Sequence, residues 1–435
     1  MILNQGIVMN VLLLSTFDTE GGAARATYRL HQGLHSIGVT SRMLVQTKHS
    51  DDPSVLSTKT NLAASLASAR VTIDALPLKR YAKAGKVLFS PQWLPDRVKA
   101  MSTSLPVDLF NLHWTHSGFL QIETLAQLQR PLVWSLHDMW VFTGGCHYTG
   151  DCDRYQASCG ACPQLKSQRE RDLSRWVWQR KLSAWKSLDL TIVALSSWMA
   201  DCAKASNLLQ HHRIEQIPNG IDTDIYRPLD SQIARQLLRL PSNKRLILFG
   251  ACHATSDKRK GFHLLQTALQ QLNQLTWKDQ LELVVLGADR PEQPPDLGFK
   301  VHYLGTVKDE LTQALVYSAA DVFVLPSIQE NLSNMIMEAL ACGTPCVAFD
   351  IGGMPDMIKH QTNGYLAQPY QIQDLAQGIV WVLEDESRHQ NLHHAARAKV
   401  FQDFNLELQA RRYKALYEEI LEQSTQVKRT HLVGR

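Results

Sequence analysis

Short apolar runs alternate with longer stretches of helical spacing along most of this chain. Val8–Leu14 reads as a first strand, followed by the loop Thr16-Phe17-Asp18-Thr19-Glu20-Gly21-Gly22. Ala23, Ala26, Leu30 and Leu34 then recur on one side of a helix that Gly38 ends, and Arg42–Val45 reads as the next strand. Leu109–Leu112, Leu132–Leu136 and Leu190–Leu195 are nearly uninterrupted apolar runs, as expected of parallel strands buried on both faces. The pattern then restarts with Arg245–Gly250, Leu281–Gly287, Val301–Gly305, Asp321–Pro326 and Pro345–Phe349. Strand–helix alternation of this kind predicts α/β architecture with parallel, doubly wound sheets.

The 435 residues are too many for one ordinary core. We expect a first domain over residues 1–210, a second over 211–405, and a crossover near 205–220, where turn signals run from Asn219-Gly220-Ile221-Asp222 to Pro228. A last helix, roughly Glu407–Glu422 and within 406–425, is expected to pack back on the first domain, with a frayed tail from Gln423. Open parallel sheets bind ligands at the carboxyl ends of their strands, so two facing sheets would hold one in the cleft between them.

Composition narrows the class. Hydrophobic residues make up 44% and charged residues 20%, as in folded globular chains. The first apolar run is far shorter than the roughly 20 residues of a membrane-spanning helix and lacks the flanks of a secretory signal, so a cytoplasmic protein is expected. Residues 1–210 carry 22 Lys and Arg against 15 Asp and Glu. That bias suits anionic headgroups at the inner membrane face or a phosphorylated acceptor, and equally a scatter of solvated charge. It is too dilute for nucleic acid.

The most informative stretch runs from Pro326 to Pro345. Ser333 can cap a helix that ends at Gly343. Glu330 precedes this helix and Glu338 lies inside it, about 7.5 Å along the axis from the cap. The amides of Leu332 to Asn334 could hold a diphosphate. Carboxylates flanking such a site would repel phosphate but accept hydrogen bonds from sugar hydroxyls, one on each side of a sugar nucleotide.

Here the chain resembles retaining glycosyltransferases of family 4, with the two-domain GT-B fold. The resemblance rests on Glu-x7-Glu from Glu330 to Glu338 and its continuation Glu338-Ala339-Leu340-Ala341-Cys342-Gly343-Thr344-Pro345. It implies that Glu330 contacts the donor sugar, Glu338 the ribose, and Asn331, Leu332 and Ser333 the rest of the donor. The family's Lys-Gly element falls on Lys260-Gly261, with Lys260 stabilising the departing diphosphate. Where the family usually has an arginine, this chain has Ala251-Cys252-His253, and Arg259 is the candidate replacement. Gly21 and Gly22 would lie near the donor phosphates. His137, ending the strand Leu132–Leu136, would bond a sugar hydroxyl or move a proton.

The resemblance implies transfer of a hexosyl group from a nucleoside diphosphate sugar to a glycan or lipid-linked acceptor, with no metal and no cofactor. A sugar-nucleotide epimerase, a phosphorylase and a non-catalytic sugar-nucleotide-binding protein are the rival readings. Cys146, Cys152, Cys159 and Cys162 form a cluster that admits two accounts, a zinc-closed loop acting as an interaction module or packed reduced thiols. The segment from His137-Asp138-Met139-Trp140 to Cys159-Gly160-Ala161-Cys162-Pro163 resembles a subgroup linked to colanic-acid-type exopolysaccharide synthesis.

Overall fold

The computed structural model describes residues 9–57, 64–84, 88–250, 257–273, 277 and 279–433. The chain forms two compact units, Met1–Pro218 with Glu407–Arg435, and Asn219–Leu406. Each is built on one parallel sheet with helices on its faces.

The first sheet has seven strands: β1 (Asn10–Phe17), β2 (Thr40–Thr47), β3 (Val55–Ser57), β4 (Leu109–Leu112), β5 (Leu132–Leu136), β6 (Leu190–Ala194) and β7 (Arg213–Gln216). Their order is β3-β2-β1-β4-β5-β6-β7. β1 pairs with β4 in register Leu13↔Asn111, and β4 with β5 in register Asn111↔Val133. Side chains alternate across the sheet. Leu12, Leu14, Phe110, Leu112, Trp134 and Leu136 join one core. Val11, Leu13, Leu109, Val133 and Val193 join the other, under Leu30 and Leu34 of the helix Gly22–Ser36.

The helix Leu406–Val433 completes that second core with Ala410, Tyr413, Leu416, Tyr417 and Ile420. Two tyrosines are tied to the sheet by buried hydrogen bonds. The Asn111 amide donates to the Tyr417 hydroxyl at 2.6 Å, and the Tyr413 hydroxyl lies 2.8 Å from Ser135 Oγ. The tail expected to fray at Gln423 instead continues the helix to Val433. The apolar stripe stops near Leu421, but the Glu, Gln, Lys and Arg that follow are good helix formers.

The second sheet has β8 (Arg245–Gly250), β9 (Leu281–Leu286), β10 (Val301–Tyr303), β11 (Val322–Leu325), β12 (Cys346–Phe349) and β13 (Gly364–Ala367), in the order β10-β9-β8-β11-β12-β13. Ile247, Phe249, Val285, Val322, Val324 and Val347 pack on one face beneath the helices Phe262–Asn273 and Ile372–Leu383.

In both sheets the strand order reverses beside the first strand of the unit, between β1 and β4 and between β8 and β11. A doubly wound sheet opens its crevice at that point, because the helices leaving the two strands go to opposite faces. Gly21 and Gly22 follow β1, and His113 follows β4. Lys260 follows β8, and Glu330 follows β11.

Tyr417→Phe should strand the buried Asn111 amide at a cost of about 1–3 kcal/mol. The check is the urea midpoint of the transition that unfolds the first unit. An unchanged midpoint would show that the bond contributes nothing.

Candidate active site

In the second unit the loops after β8 and β11 are joined backbone to backbone. Ile328 N–H donates to Arg259 O at 2.9 Å. Gly261 ends a short turn over Lys258–Lys260 with φ of +71°, and a Cβ there would overlap the Pro326 carbonyl oxygen. Only glycine fits both conditions. This close approach sets Lys260 beside Glu330, with Nζ 2.7 Å from Oε2. Arg259 stands 3.5 Å from the same oxygen and donates to Gln329 O at 3.0 Å.

Glu330 is only 7% exposed. Burial pushes its carboxyl up, but Lys260, then Arg259, outweigh that and hold it below the ordinary value. Its backbone is equally constrained. Gly353 N–H donates to Glu330 O at 3.2 Å, and Gly352, with φ of +53°, passes so close to that carbonyl that a side chain would overlap it. The expected cap is present, with Ser333 Oγ accepting from Ile336 N–H at 3.3 Å at the start of the helix Asn334–Ala341. Asn331, Leu332 and Ser333 are buried in the short link between Glu330 and that helix.

Glu338 is 3% exposed and accepts from the Tyr317 hydroxyl at 2.8 Å. Tyr317 itself was not signalled by the sequence, since a helix tyrosine reads as ordinary core. Burial, then the adjacent Glu338, push its hydroxyl well above the usual range. The structure thus brings Arg259, Lys260 and Glu330 into direct contact and gives Glu338 a separate partner. The Ala251-Cys252-His253 departure lies outside the described residues.

In the first unit, Asp18 organises the loop before Gly21. Its carboxylate accepts from the backbone of Thr19 at 2.9 Å, His49 at 3.0 Å and Ser50 at 2.8 Å. Gly21 and Gly22 begin the helix Gly22–Ser36 with no side-chain cap. His137 is partly exposed at the end of β5, with Nε2 2.9 Å from His113 Nδ1. Burial pushes the His137 imidazole down to about 4, against the raising pull of Asp138. It is therefore neutral near pH 7. His113, one residue beyond β4, escaped the sequence reading although its position gives the same signal that picked out His137.

Next to His137, the buried Asp138 carboxylate is filled with N–H donors. It receives Trp114 Nε1 at 2.9 Å, His147 Nδ1 at 2.5 Å and Trp140 N at 2.9 Å, and His116 Nε2 lies 3.8 Å away. His116, Asp138 and His147 are the only group of three potential metal ligands within 4.8 Å among the described residues. Their tautomers argue for hydrogen bonding instead. The Gln92 amide donates to Thr115 O and lies with the same nitrogen 3.1 Å from His116 Nδ1. His116 therefore accepts at Nδ1 and carries its proton on Nε2, facing the carboxylate. His147 donates its Nδ1 proton to Asp138, with Nε2 2.9 Å from Ser90 Oγ.

The cysteine segment belongs to the same core. Cys146, Cys159 and Cys162 are buried among Trp140, Phe142, Tyr155 and Trp178. Cys159 Sγ accepts from Gly144 N–H at 3.1 Å. Burial pushes the Cys159 thiol up to about 12 and raises the Cys146 and Cys162 thiols as well. Cys146, Cys159 and Cys162 are free thiols packed into this core.

With both sites described, comparison with known proteins gives the same answer for each unit. Residues 20–225 match the model for Glycosyltransferase Family 4, and residues 243–385 match that for Glycosyl transferases group 1. This is a chain of glycosyltransferase family 4 and group 1 domains. It is 26% identical to N-acetyl-alpha-D-glucosaminyl L-malate synthase of Bacillus anthracis, over 48% of this chain and 54% of the relative. It is 32% identical to D-inositol 3-phosphate glycosyltransferase of Xylanimonas cellulosilytica, over 43% of this chain and 46% of the relative. The chain spans about half the length of the curated relatives it matches. Among solved structures, sucrose-phosphate synthase of Thermosynechococcus elongatus superposes with a TM-score of 0.64 at 20% identity, covering 98% of this chain and 100% of that one. HepE of Anabaena, solved with UDP and glucose, gives 0.62 at 19% identity, covering 94% and 99%. The fold is GT-B, two Rossmann-like domains in one chain.

Two outcomes are expected. Glu330 titrates lower in the folded protein than when unfolded. The stabilisation from its ion pairs is therefore complete above the ordinary glutamate value of about 4.3 and is lost as pH falls through the lower folded value. Lys260→Met should flatten that acid loss and cost up to about 3 kcal/mol at neutral pH, with Arg259 retaining part of the pairing. Thermal unfolding of both proteins from about pH 6 to pH 3 decides this, and parallel curves would refute it. Separately, Cys146 and Cys159 should resist alkylation in the native protein at pH 8, and a zinc chelator should leave the melting temperature unchanged. Chelator-induced melting would establish a metal.

Proposed function

We propose that this protein is a retaining glycosyltransferase that moves a hexosyl group from a nucleoside diphosphate sugar to an acceptor hydroxyl of a glycan or lipid-linked sugar. The observation that carries the reading is Glu330, a buried carboxylate kept ionised by Lys260 and Arg259 at the switch point of the second sheet. A carboxylate in that state accepts hydrogen bonds from sugar hydroxyls, and the two cations beside it suit a diphosphate. HepE, with the same fold, was solved with UDP and with UDP-glucose.

In this reading the second unit binds the donor. Lys260, assisted by Arg259 and the backbone of Asn331, Leu332 and Ser333, stabilises the departing diphosphate. Glu330 receives the donor sugar and Glu338 the ribose. Gly21 and Gly22 approach the phosphates, and His137 meets a sugar hydroxyl. The bond from C1 to the phosphate oxygen breaks, a bond from the acceptor oxygen to C1 forms on the same face, and the acceptor proton passes to the departing phosphate. Protein cations meet the charge, so no metal enters the scheme. The acceptor belongs to cell-surface polysaccharide synthesis, in keeping with the segment His137–Cys162, and the reaction takes place in the cytoplasm or at the inner membrane face. No helix among the described residues is long and apolar enough to cross a membrane.

A panel of UDP-, GDP-, ADP- and dTDP-sugars tests the proposal through release of nucleoside diphosphate, with and without simple sugar acceptors. One donor should turn over. Glu330→Ala and Lys260→Ala should each lower kcat/KM by about 10²–10³, the scale of losing one charge-stabilising group. Binding of a donor that neither variant weakens, with no release, would sink the reading in favour of a non-catalytic binding protein.

A further inference from the structure

We propose that His113 is a positioning residue that fixes the tautomer of His137, so that His137 meets substrate as an N–H donor and cannot act as a base at Nε2. The proposal rests on the assignment of His137 to a sugar hydroxyl made above.

The two histidines lie one residue beyond neighbouring strands, β4 and β5, and on the same side of the sheet. His113 Nδ1 and His137 Nε2 are 2.9 Å apart, with ring centroids 5.2 Å apart. One proton must sit between the two nitrogens, and it belongs to one ring or the other. The far side of His113 decides which. Its Nε2 is buried with no hydrogen-bond partner among the described residues. A buried N–H with no acceptor is among the rarest features of folded proteins, whereas an under-used acceptor is tolerated more often. The His113 proton therefore sits on Nδ1 and is donated to His137 Nε2. His137 must then keep its own proton on Nδ1.

His113 is 4% exposed, and its carbonyl accepts from Trp134 Nε1 at 3.1 Å, which anchors its backbone. Burial holds both rings neutral, so protonation does not scramble the assignment. The consequence for chemistry is specific. With Nε2 accepting and Nδ1 protonated, His137 can polarise or orient a substrate oxygen but has no free lone pair with which to take a hydroxyl proton. The acceptor proton must then leave by another route.

The test is a long-range ¹H–¹⁵N correlation spectrum of ¹⁵N-histidine-labelled protein, with His137 assigned through His137→Gln. The wild type should show His137 as the neutral Nδ1–H tautomer. His113→Asn, whose amide nitrogen can take the place of Nδ1, should keep it. His113→Leu should release His137 to the Nε2–H form or a mixture. A wild-type His137 protonated on Nε2 overturns the proposal, as does an unchanged tautomer in His113→Leu. The spectrum needs no turnover, so it stands or falls apart from the transferase reading. If donor turnover is observed, His113→Leu should lower kcat/KM about tenfold or more, and His113→Asn should restore it to within a few-fold.

Discussion

A carboxylate that water barely reaches has to be kept ionised by its neighbours, and the second domain is arranged around that requirement at Glu330. The solution is positional. Two cations follow β8, the acid follows β11, and a glycine lets the two loops close until one backbone bonds the other. Removing a charge from water costs several kcal/mol unless a partner stands ready. Hence the tightest backbone packing of this region, at Gly261 and Gly352, sits on either side of the acid. The cations that hold Glu330 are also the groups that, in the function proposed above, face a diphosphate.

The first domain solves a similar problem without cations in direct contact. Asp138 is as buried as Glu330, but N–H donors from Trp114, Trp140 and His147 satisfy it. Its carboxyl is held well below the usual range by His147 and His116 against the upward push of burial. Trp140 and His147 belong to the loop that follows β5 and Trp114 to the loop that follows β4, so the network ties the two loops together. One domain satisfies its buried carboxylate with cations, the other with N–H donors.

Much of this was legible in the chain because central parallel strands must be apolar on both faces. Leu109–Leu112, Leu132–Leu136 and Arg245–Gly250 announce themselves in that way. The strands that escaped, Val55–Ser57, Arg213–Gln216 and Gly364–Ala367, are all at sheet edges. An edge strand has a neighbour on one side only, so a run such as Arg-Ile-Glu-Gln carries no apolar signature. The acidic pair, its cap and the lysine could be read because each depends on spacing along the sequence. Tyr317 and the bond from Trp114 to Asp138 could not, because those partners meet only in the folded domain, whereas His113 carries the same signal as His137, one residue beyond a strand. The helix 406–433 illustrates both limits. Its apolar face showed where it would begin, and its polar continuation concealed how far it would run.

That helix also dictates an order of events during synthesis. The first domain lacks one wall of its core until Tyr413, Leu416 and Tyr417 have left the ribosome, some two hundred residues after its last strand. The second domain is encoded entirely within that gap, and domains fold as units when their residues become available. The first domain is thus the last to be finished, and until then the odd-numbered face of β1 is covered only by the helix Gly22–Ser36, with the Tyr413 and Tyr417 side of its core still to come.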